Sequence, residues 1–343
     1  SWVMMMFGSQ QRQRSLTILL STATTVLLRM PLIYQGNQMP ANRQEGMDHQ
    51  HYDWLPLPER PILRWPKDAP LAFGAVVILE HYEWEPPEGS YSLRSPSGGL
   101  IKFPTPDYVQ LTHREYGHRV GIFRVLDMLD RHGVPATVAV DATTALQYPW
   151  LIEHCMQRGC ELIGHGIAAS QLITSKMSVD EEIETIGSSL DILEQQTGLR
   201  PRGWLSPEGV ESARTPQLAA SAGLSYICDW PNDEQPYKMS TVDGDLTALP
   251  LFLELDDEFA LWTRRASLDS WQRMIVTAGS KMHADGQQTG RLLMLTLRPW
   301  LTGQPFRIKA LGNALESLAA LDPIFMATGS EIVDSFAQSL SSS

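Results

Sequence analysis

The chain has 343 residues, 43% of them hydrophobic and 19% charged, which is enough for one large domain or two small ones and excludes disordered, collagen-like and coiled-coil chains. Lys plus Arg number 27 against 39 Asp plus Glu, a formal net charge of −12 without a long basic run, which argues against nucleic acid as the main partner. The three cysteines, Cys155, Cys160 and Cys228, cannot build a disulfide framework and match no zinc ribbon; Cys155 and Cys160 read as small buried hydrophobes.

Residues 1–46 stand apart from the rest. Gln10–Arg14 is polar and basic, Leu16–Leu28 is apolar, and Arg29 ends the run, well short of the about 20 residues that a bilayer span needs. Arg12 and Arg14 ahead of the run suit a signal peptide, yet no small-x-small cleavage site follows Leu28. The expectation is an extension outside the fold, with Met39 or Met47 as alternative starts and one domain over 47–343. A cytoplasmic location follows, or a secreted or periplasmic one where the run serves as a signal.

From Leu71 the pattern is regular. Leu71–Glu80 is a continuous apolar run that predicts a buried strand. Glu83–Pro106, rich in Pro, Gly and Ser, predicts a long functional loop. Arg119–His132 predicts a helix with Ile122, Val125, Leu126 and Leu129 on one face, stopped by Gly133; Val134–Asp141 is a strand, Pro149–Arg158 a helix and Cys160–Gly164 a strand. Ser178-Val179-Asp180-Glu181 is a capping box opening a helix whose stripe is Ile183, Ile186, Leu190 and Leu193 and whose stop is Gly198. Strands follow at Arg202–Ser206, Ser225–Asp229, Leu246–Leu253, Arg291–Leu297 and Ile324–Ala327. Helices follow at Pro216–Ala222, Leu268–His283, Arg307–Leu321 and from Glu331. Strand–helix alternation over about 270 residues implies an α/β fold, a (β/α) barrel of seven or eight units, whole or incomplete, in one domain.

In such a barrel the chemistry sits where strands end. The polar residues there are Glu80 and His81, Asp141, His165, Ser206 and Glu208, Asp229, the acidic run Glu254, Asp256 and Asp257, and Arg298. His165 lies between Gly164 and Gly166, which lets the backbone turn sharply and exposes an imidazole, as a ligand or acid/base group or as a turn residue bonded to backbone. Glu80 is a site carboxylate or a solvated loop residue, and the acidic run a crowded site or a loop. Gly164–Ala169 fits G-x-G-x-x-A formally, but no helix opens there, so it is no dinucleotide fingerprint. Gly279-Ser280-Lys281 is no phosphate loop and Ser206 sits in no nucleophile elbow.

Taken in order, Val77-Ile78-Leu79-Glu80, Gly164-His165-Gly166, Gly203-Trp204-Leu205-Ser206-Pro207, Cys228-Asp229-Trp230 with Asp233-Glu234-Gln235-Pro236, and Leu297-Arg298-Pro299-Trp300 resemble the polysaccharide deacetylase (NodB homology) family. Tyr116-Gly117-His118-Arg119-Val120-Gly121 and Gly303-Gln304-Pro305-Phe306-Arg307 are similar to its branch of allantoinase-like and cyclic-imide-hydrolysing members. The resemblance runs from about Tyr52 to Phe336. It implies a deformed (β/α) barrel that hydrolyses C–N bonds other than peptide bonds. In the family a divalent metal held by one Asp and two His polarises the carbonyl and carries the attacking water, beside an Asp base and a His acid. Glu80 matches the metal-side carboxylate and His165 the first His.

The chain also departs from the pattern. Ile78 and Leu79 stand at the base-side positions, Ala169 at the second His with Ser170 as a weak substitute, Leu205 where Arg is usual, and Arg298 where the branch keeps a His. Arginine cannot act as a general acid, but it can clamp a carboxylate or stabilise an oxyanion. The resulting expectation is a C–N hydrolase acting on a small cyclic amide, ureide or imide, or on an N-acylated sugar. Glu80, His165 and Arg298 are its catalytic candidates; Asp229, Asp233, Trp204, Glu254 and Arg307 are its substrate-binding candidates. The cofactor is one divalent metal such as zinc on an incomplete Glu80–His165 site, or none. The alternative is a binding protein that keeps the barrel and has lost turnover. No membrane span is expected, and a homo-oligomer is left open.

Overall fold

The computed structural model describes residues 48–91 and 106–341. The expected extension and the middle of the expected Glu83–Pro106 loop lie outside them.

The chain folds as alternating strands and helices. Strand β1 (Leu71–Leu79) is followed by α1 (Tyr108–Tyr116), one wider helical turn over Gly117–Gly121, and α2 (Ile122–Arg131). Then come β2 (Ala136–Val140), α3 (Ala142–Gln147), α4 (Pro149–Gln157), β3 (Glu161–Gly164) and α5 (Val179–Thr197). The second half holds β4 (Gly203–Trp204), α6 (Thr215–Ser221), β5 (Tyr226–Ile227), β6 (Tyr237–Lys238), β7 (Thr247–Ala248) and α7 (Leu268–Asp285). It closes with β8 (Arg291–Leu297), α8 (Pro299–Thr302), α9 (Ile308–Ala319), β9 (Ile324–Met326) and α10 (Gly329–Ser341).

The strands form one curled sheet in the order β6-β7-β5-β4-β3-β2-β1-β8, parallel except for β6 against β7. β2 pairs with β1 over Ala75–Leu79, while β9 pairs with β1 over Leu71–Phe73 on the same edge, opposite β8. The result is a curled half-barrel: the alternation implied the (β/α) units and the parallel sheet, and the resemblance implied the deformed barrel. Every residue of β1 is buried because its odd positions pack against the outer helices and Ala72, Val76 and Ile78 pack inside the curl. A strand buried on both faces must read as a continuous apolar run, which is why periodicity found it without ambiguity.

Two expectations change in detail. The apolar run Leu246–Leu253 pairs only at Thr247–Ala248, since Pro250 offers no N–H to a ladder, and a short 3-10 turn follows at Leu253–Leu255. In α5 the capping box forms as expected, but Ile183 is half-buried and Glu182 is buried instead. Glu182 accepts from Ser212 Oγ and Thr215 Oγ1 at 2.8 and 2.6 Å and pairs with Arg214 at 2.9 Å, so a buried carboxylate ties α5 to α6.

Candidate active site

The strand-end residues converge at the C-terminal mouth of the half-barrel. Glu80 leaves β1 directly, and His165 leaves β3 through Gly166, whose left-handed φ of 74° makes the turn. His165 Nδ1 lies 2.7 Å from the carbonyl of Leu205 and Nε2 3.4 Å from Glu80 Oε2, with both side chains buried. Burial opposes charge on both. For Glu80 the bond to His165 and the guanidiniums of Arg298 and Arg114 outweigh it and hold the carboxyl below its ordinary value. For His165 the bond to Glu80 and its charge outweigh it and raise the imidazole. The two therefore form a buried ion pair, with both imidazole nitrogens donating. Tyr82 adds a donor, 3.1 Å from Glu80 Oε1 and 3.4 Å from Glu208 Oε1.

Arg298 leaves β8 into the same mouth and is fixed from one side by the acidic run. Its Nη1 donates to Asp256 Oδ2 at 2.7 Å and lies 3.6 Å from Asp257 Oδ1; its Nε lies 2.7 Å from Glu258 Oε2. Asp257 also accepts the Arg298 backbone N–H at 2.8 Å and the Thr302 hydroxyl. Burial and the neighbouring Asp256 charge push Asp257 up to about 7. A guanidinium held this way is a preorganised cation whose field reaches Glu80.

A third wall comes from α1 and its wider turn. Arg114, 4% exposed, lies over the Trp300 ring at 3.6 Å and 3.6 Å from Glu258 Oε1. His118, one turn later, stacks on Tyr148 with centroids 4.8 Å apart. Burial, with the nearby His81, pushes His118 down to about 4, so it is a neutral imidazole. The glycines explain why this helix comes so close. A Cβ on Gly117 would sit 2.9 Å from Trp300 N, and one on Gly121 would sit 2.0 Å from Pro299 O. Arg114 does not stand out in sequence, and His118 does so only within the motif Tyr116–Gly121, with no role attached, because both lie in a helical segment rather than at a strand end.

The remaining candidates take other places. Asp229 accepts the Ser206 N–H at 2.8 Å and the Ser206 hydroxyl at 3.0 Å, and burial pushes it up to about 6. Asp141 caps α3 and accepts from His81 N at 2.5 Å and Thr144 N at 2.6 Å; burial pushes it up to about 7. Both carboxylates brace the loops that carry the mouth. Trp204 is fully buried with its indole N–H on Ser206 Oγ at 2.9 Å, so it shapes the floor and has no surface for a ligand. Asp233 grips Arg60 at 2.6 Å and caps its own turn. Glu254 is exposed and pairs with Arg264, and Arg307 lies over Phe306. The acidic residues that face Arg298 are thus Asp256, Asp257 and Glu258.

The divalent metal that the resemblance implies does not fit this donor set. Glu80 and His165 are spent on each other and on Leu205. Ala169 is buried between Tyr82 and Leu111, and Ser170 Oγ donates to Glu83 at 2.6 Å. Among the described residues no cluster of three or more His, Cys, Asp or Glu could hold a metal ion.

Residues 107–227 match the family model described as Polysaccharide deacetylase. A putative polysaccharide deacetylase of Schizosaccharomyces pombe (strain 972) is 23% identical over 301 residues, covering 79% of this chain and 92% of its own. Three crystal structures share the fold. Puue allantoinase superposes with a TM-score of 0.74 at 21% identity, covering 81% of this chain and 94% of its own. A probable polysaccharide deacetylase of Pseudomonas aeruginosa PAO1 gives 0.72 at 23%, covering 82% and 95%. A putative polysaccharide deacetylase of Mycobacterium smegmatis gives 0.67 at 24%, covering 81% and 94%. The chain is thus similar to polysaccharide deacetylases in sequence over residues 107–227 and to these structures in fold. Among the described residues no helix is long and apolar enough to cross a membrane.

Proposed function

We propose that this chain hydrolyses the C–N bond of a small cyclic amide, ureide or imide, with an N-acylated sugar as the second substrate class. The observation that carries the proposal is the buried mouth in which an ionised Glu80, its partner His165 and the clamped guanidinium of Arg298 face one another. Glu80 holds and deprotonates the attacking water, His165 relays the proton by giving one of its two ring protons to the leaving nitrogen and recovering it from Glu80, and Arg298 stabilises the oxyanion on the carbonyl oxygen. Asp256, Asp257 and Glu258 keep Arg298 in place. The names of the relatives support both classes, an allantoinase on one side and deacetylases on the other.

The test is turnover of succinimide, hydantoin, allantoin and N-acetylglucosamine oligomers, each with added zinc and with chelator. We expect turnover of a cyclic substrate that survives chelation and falls at least about 100-fold in Glu80→Gln. No turnover of any substrate by the wild type, with none gained in Arg298→His, refutes the hydrolase and leaves the binding protein. Loss of activity on chelation refutes the metal-free arrangement.

A further inference from the structure

Beside Glu80 lies a small, partly open cavity of mixed polar and apolar lining that the reading above leaves unused. Its volume is about 10 Å³, and its lining includes Leu79, Glu80, Arg114, Gly117, His118 and Trp300. One water fills a space of this size, provided it finds two to four polar partners. The partners are present and unspent. Arg114 Nε and Nη1 are buried with no acceptor, and so are both ring nitrogens of His118. Both side chains are more than nine-tenths buried, so bulk solvent cannot satisfy them. Leaving such polar groups bare is costly, most of all for a charged one. The charge of Arg114 reaches Glu80, and the charge of Glu80 reaches His118.

We propose that this cavity seats the hydrolytic water and that Arg114 and His118 are further catalytic residues. The inference rests on the hydrolase reading and specifies where its nucleophile is held. Arg114 donates to the water oxygen, and the water donates to Glu80 and to the bare nitrogen of the neutral His118. On attack the water oxygen forms a bond to the amide carbonyl carbon and its proton passes to the Glu80 carboxylate. The C–N bond then breaks, the nitrogen takes that proton, and the acyl carbon ends as a carboxylic acid, still joined to the nitrogen in the ring-opened product of a cyclic substrate and released from an N-acylated one. The close approach that Gly117 and Gly121 allow between the helix and Pro299–Trp300 is what makes the cavity no larger than one oxygen atom.

A seat of that size makes a prediction that a merely structural water does not: the enzyme should refuse larger nucleophiles. With a cyclic imide as substrate and hydroxylamine added, the wild type should give the acid and little hydroxamate. His118→Ala removes an imidazole from the cavity wall, and the hydroxamate-to-acid ratio should rise at least about tenfold. Arg114→Lys, which keeps the charge and loses the planar donors, should lower kcat about 100-fold with KM within about twofold. A crystal structure of the wild-type protein should show an ordered water bonded to Arg114 and within reach of Glu80. Turnover with an unchanged ratio in His118→Ala, or an empty cavity in the crystal, overturns this assignment alone. An absence of turnover on every amide refutes the hydrolase reading, and this assignment with it.

Discussion

Replacing Gly121 by alanine separates what a helix prefers from what this packing permits. Gly121 lies in the helical segment between α1 and α2, where glycine costs about 1 kcal/mol relative to alanine, so local propensity favours the substitution. The structure opposes it. The new Cβ would sit 2.0 Å from the carbonyl oxygen of Pro299 and 2.7 Å from its carbon, both backbone atoms, so the two segments must part by 1 Å or more. Overpacking of this kind costs about 3 kcal/mol, and the net effect should be a loss of about 2 kcal/mol. Gly187 in α5 supplies the control, because a Cβ there meets nothing within 4 Å, and Gly187→Ala should gain up to about 1 kcal/mol. Gly117→Ala, at 2.9 Å from Trp300 N, should fall between them. Denaturant titration reads the three as shifts in midpoint at constant slope. The same displacement moves Arg114 and His118, and a 1 Å misplacement costs up to about 100-fold in turnover. If Gly121→Ala proves as stable as Gly187→Ala, the close approach of this helix to Pro299 is wrong, and so is the account of the cavity.

Two further outcomes follow from a buried carboxylate and a half-buried one. Glu182→Ala should destabilise the fold by about 3 kcal/mol or more, since it strands the partly buried Arg214 and two hydroxyls; a loss under about 1 kcal/mol in urea titration would contradict the buried tie between α5 and α6. Burial, with the charge of Asp229, pushes Glu211 up to about 9, well above its unfolded value. A carboxyl raised in the folded state binds its proton there while the unfolded chain has lost it. Its contribution is therefore present at low pH and is lost as pH rises from about 4.5 through about 9. Glu211→Gln should match the wild type near pH 4 and melt progressively higher than it toward pH 9; parallel melting curves across that range would remove Glu211 from the buried set.

The sequence carried much of the fold because several of its signals are local. β1 is buried on both faces, so its nine residues read as one apolar run. The capping box at Ser178 and Glu181 satisfies backbone donors within one turn, and the His165 turn needs the left-handed glycine beside it. Other features were beyond any local pattern. Leu246–Leu253 is as apolar as a strand but finds a ladder partner at only two positions. Tyr108–Tyr116 has a mixed, weakly patterned sequence and becomes a helix under an Asp107 cap and Gly117 packing against Trp300. Among the acidic run, nothing in the order of residues says that Asp256 and Glu258 turn toward Arg298 while Glu254 turns out to Arg264. The same holds for Trp204, whose place beside a site motif suggested contact with a ligand and whose side chain is fully buried beneath it.

By itself the sequence determined the alternation of strands and helices, the parallel sheet that follows from it, and the strand-end positions where polar residues interrupt apolar runs. Those are properties of neighbours in the chain, fixed by period, capping and turn chemistry. Only the tertiary structure decided which polar residues meet. It paired Glu80 with His165, clamped Arg298 with the acidic run, and brought Arg114 and His118 in from a helix that no strand-end rule considers. Charge and hydrogen bonding act over a few ångströms, and residues tens of positions apart come within that range only when the sheet curls and two glycines let a helix close on Pro299 and Trp300.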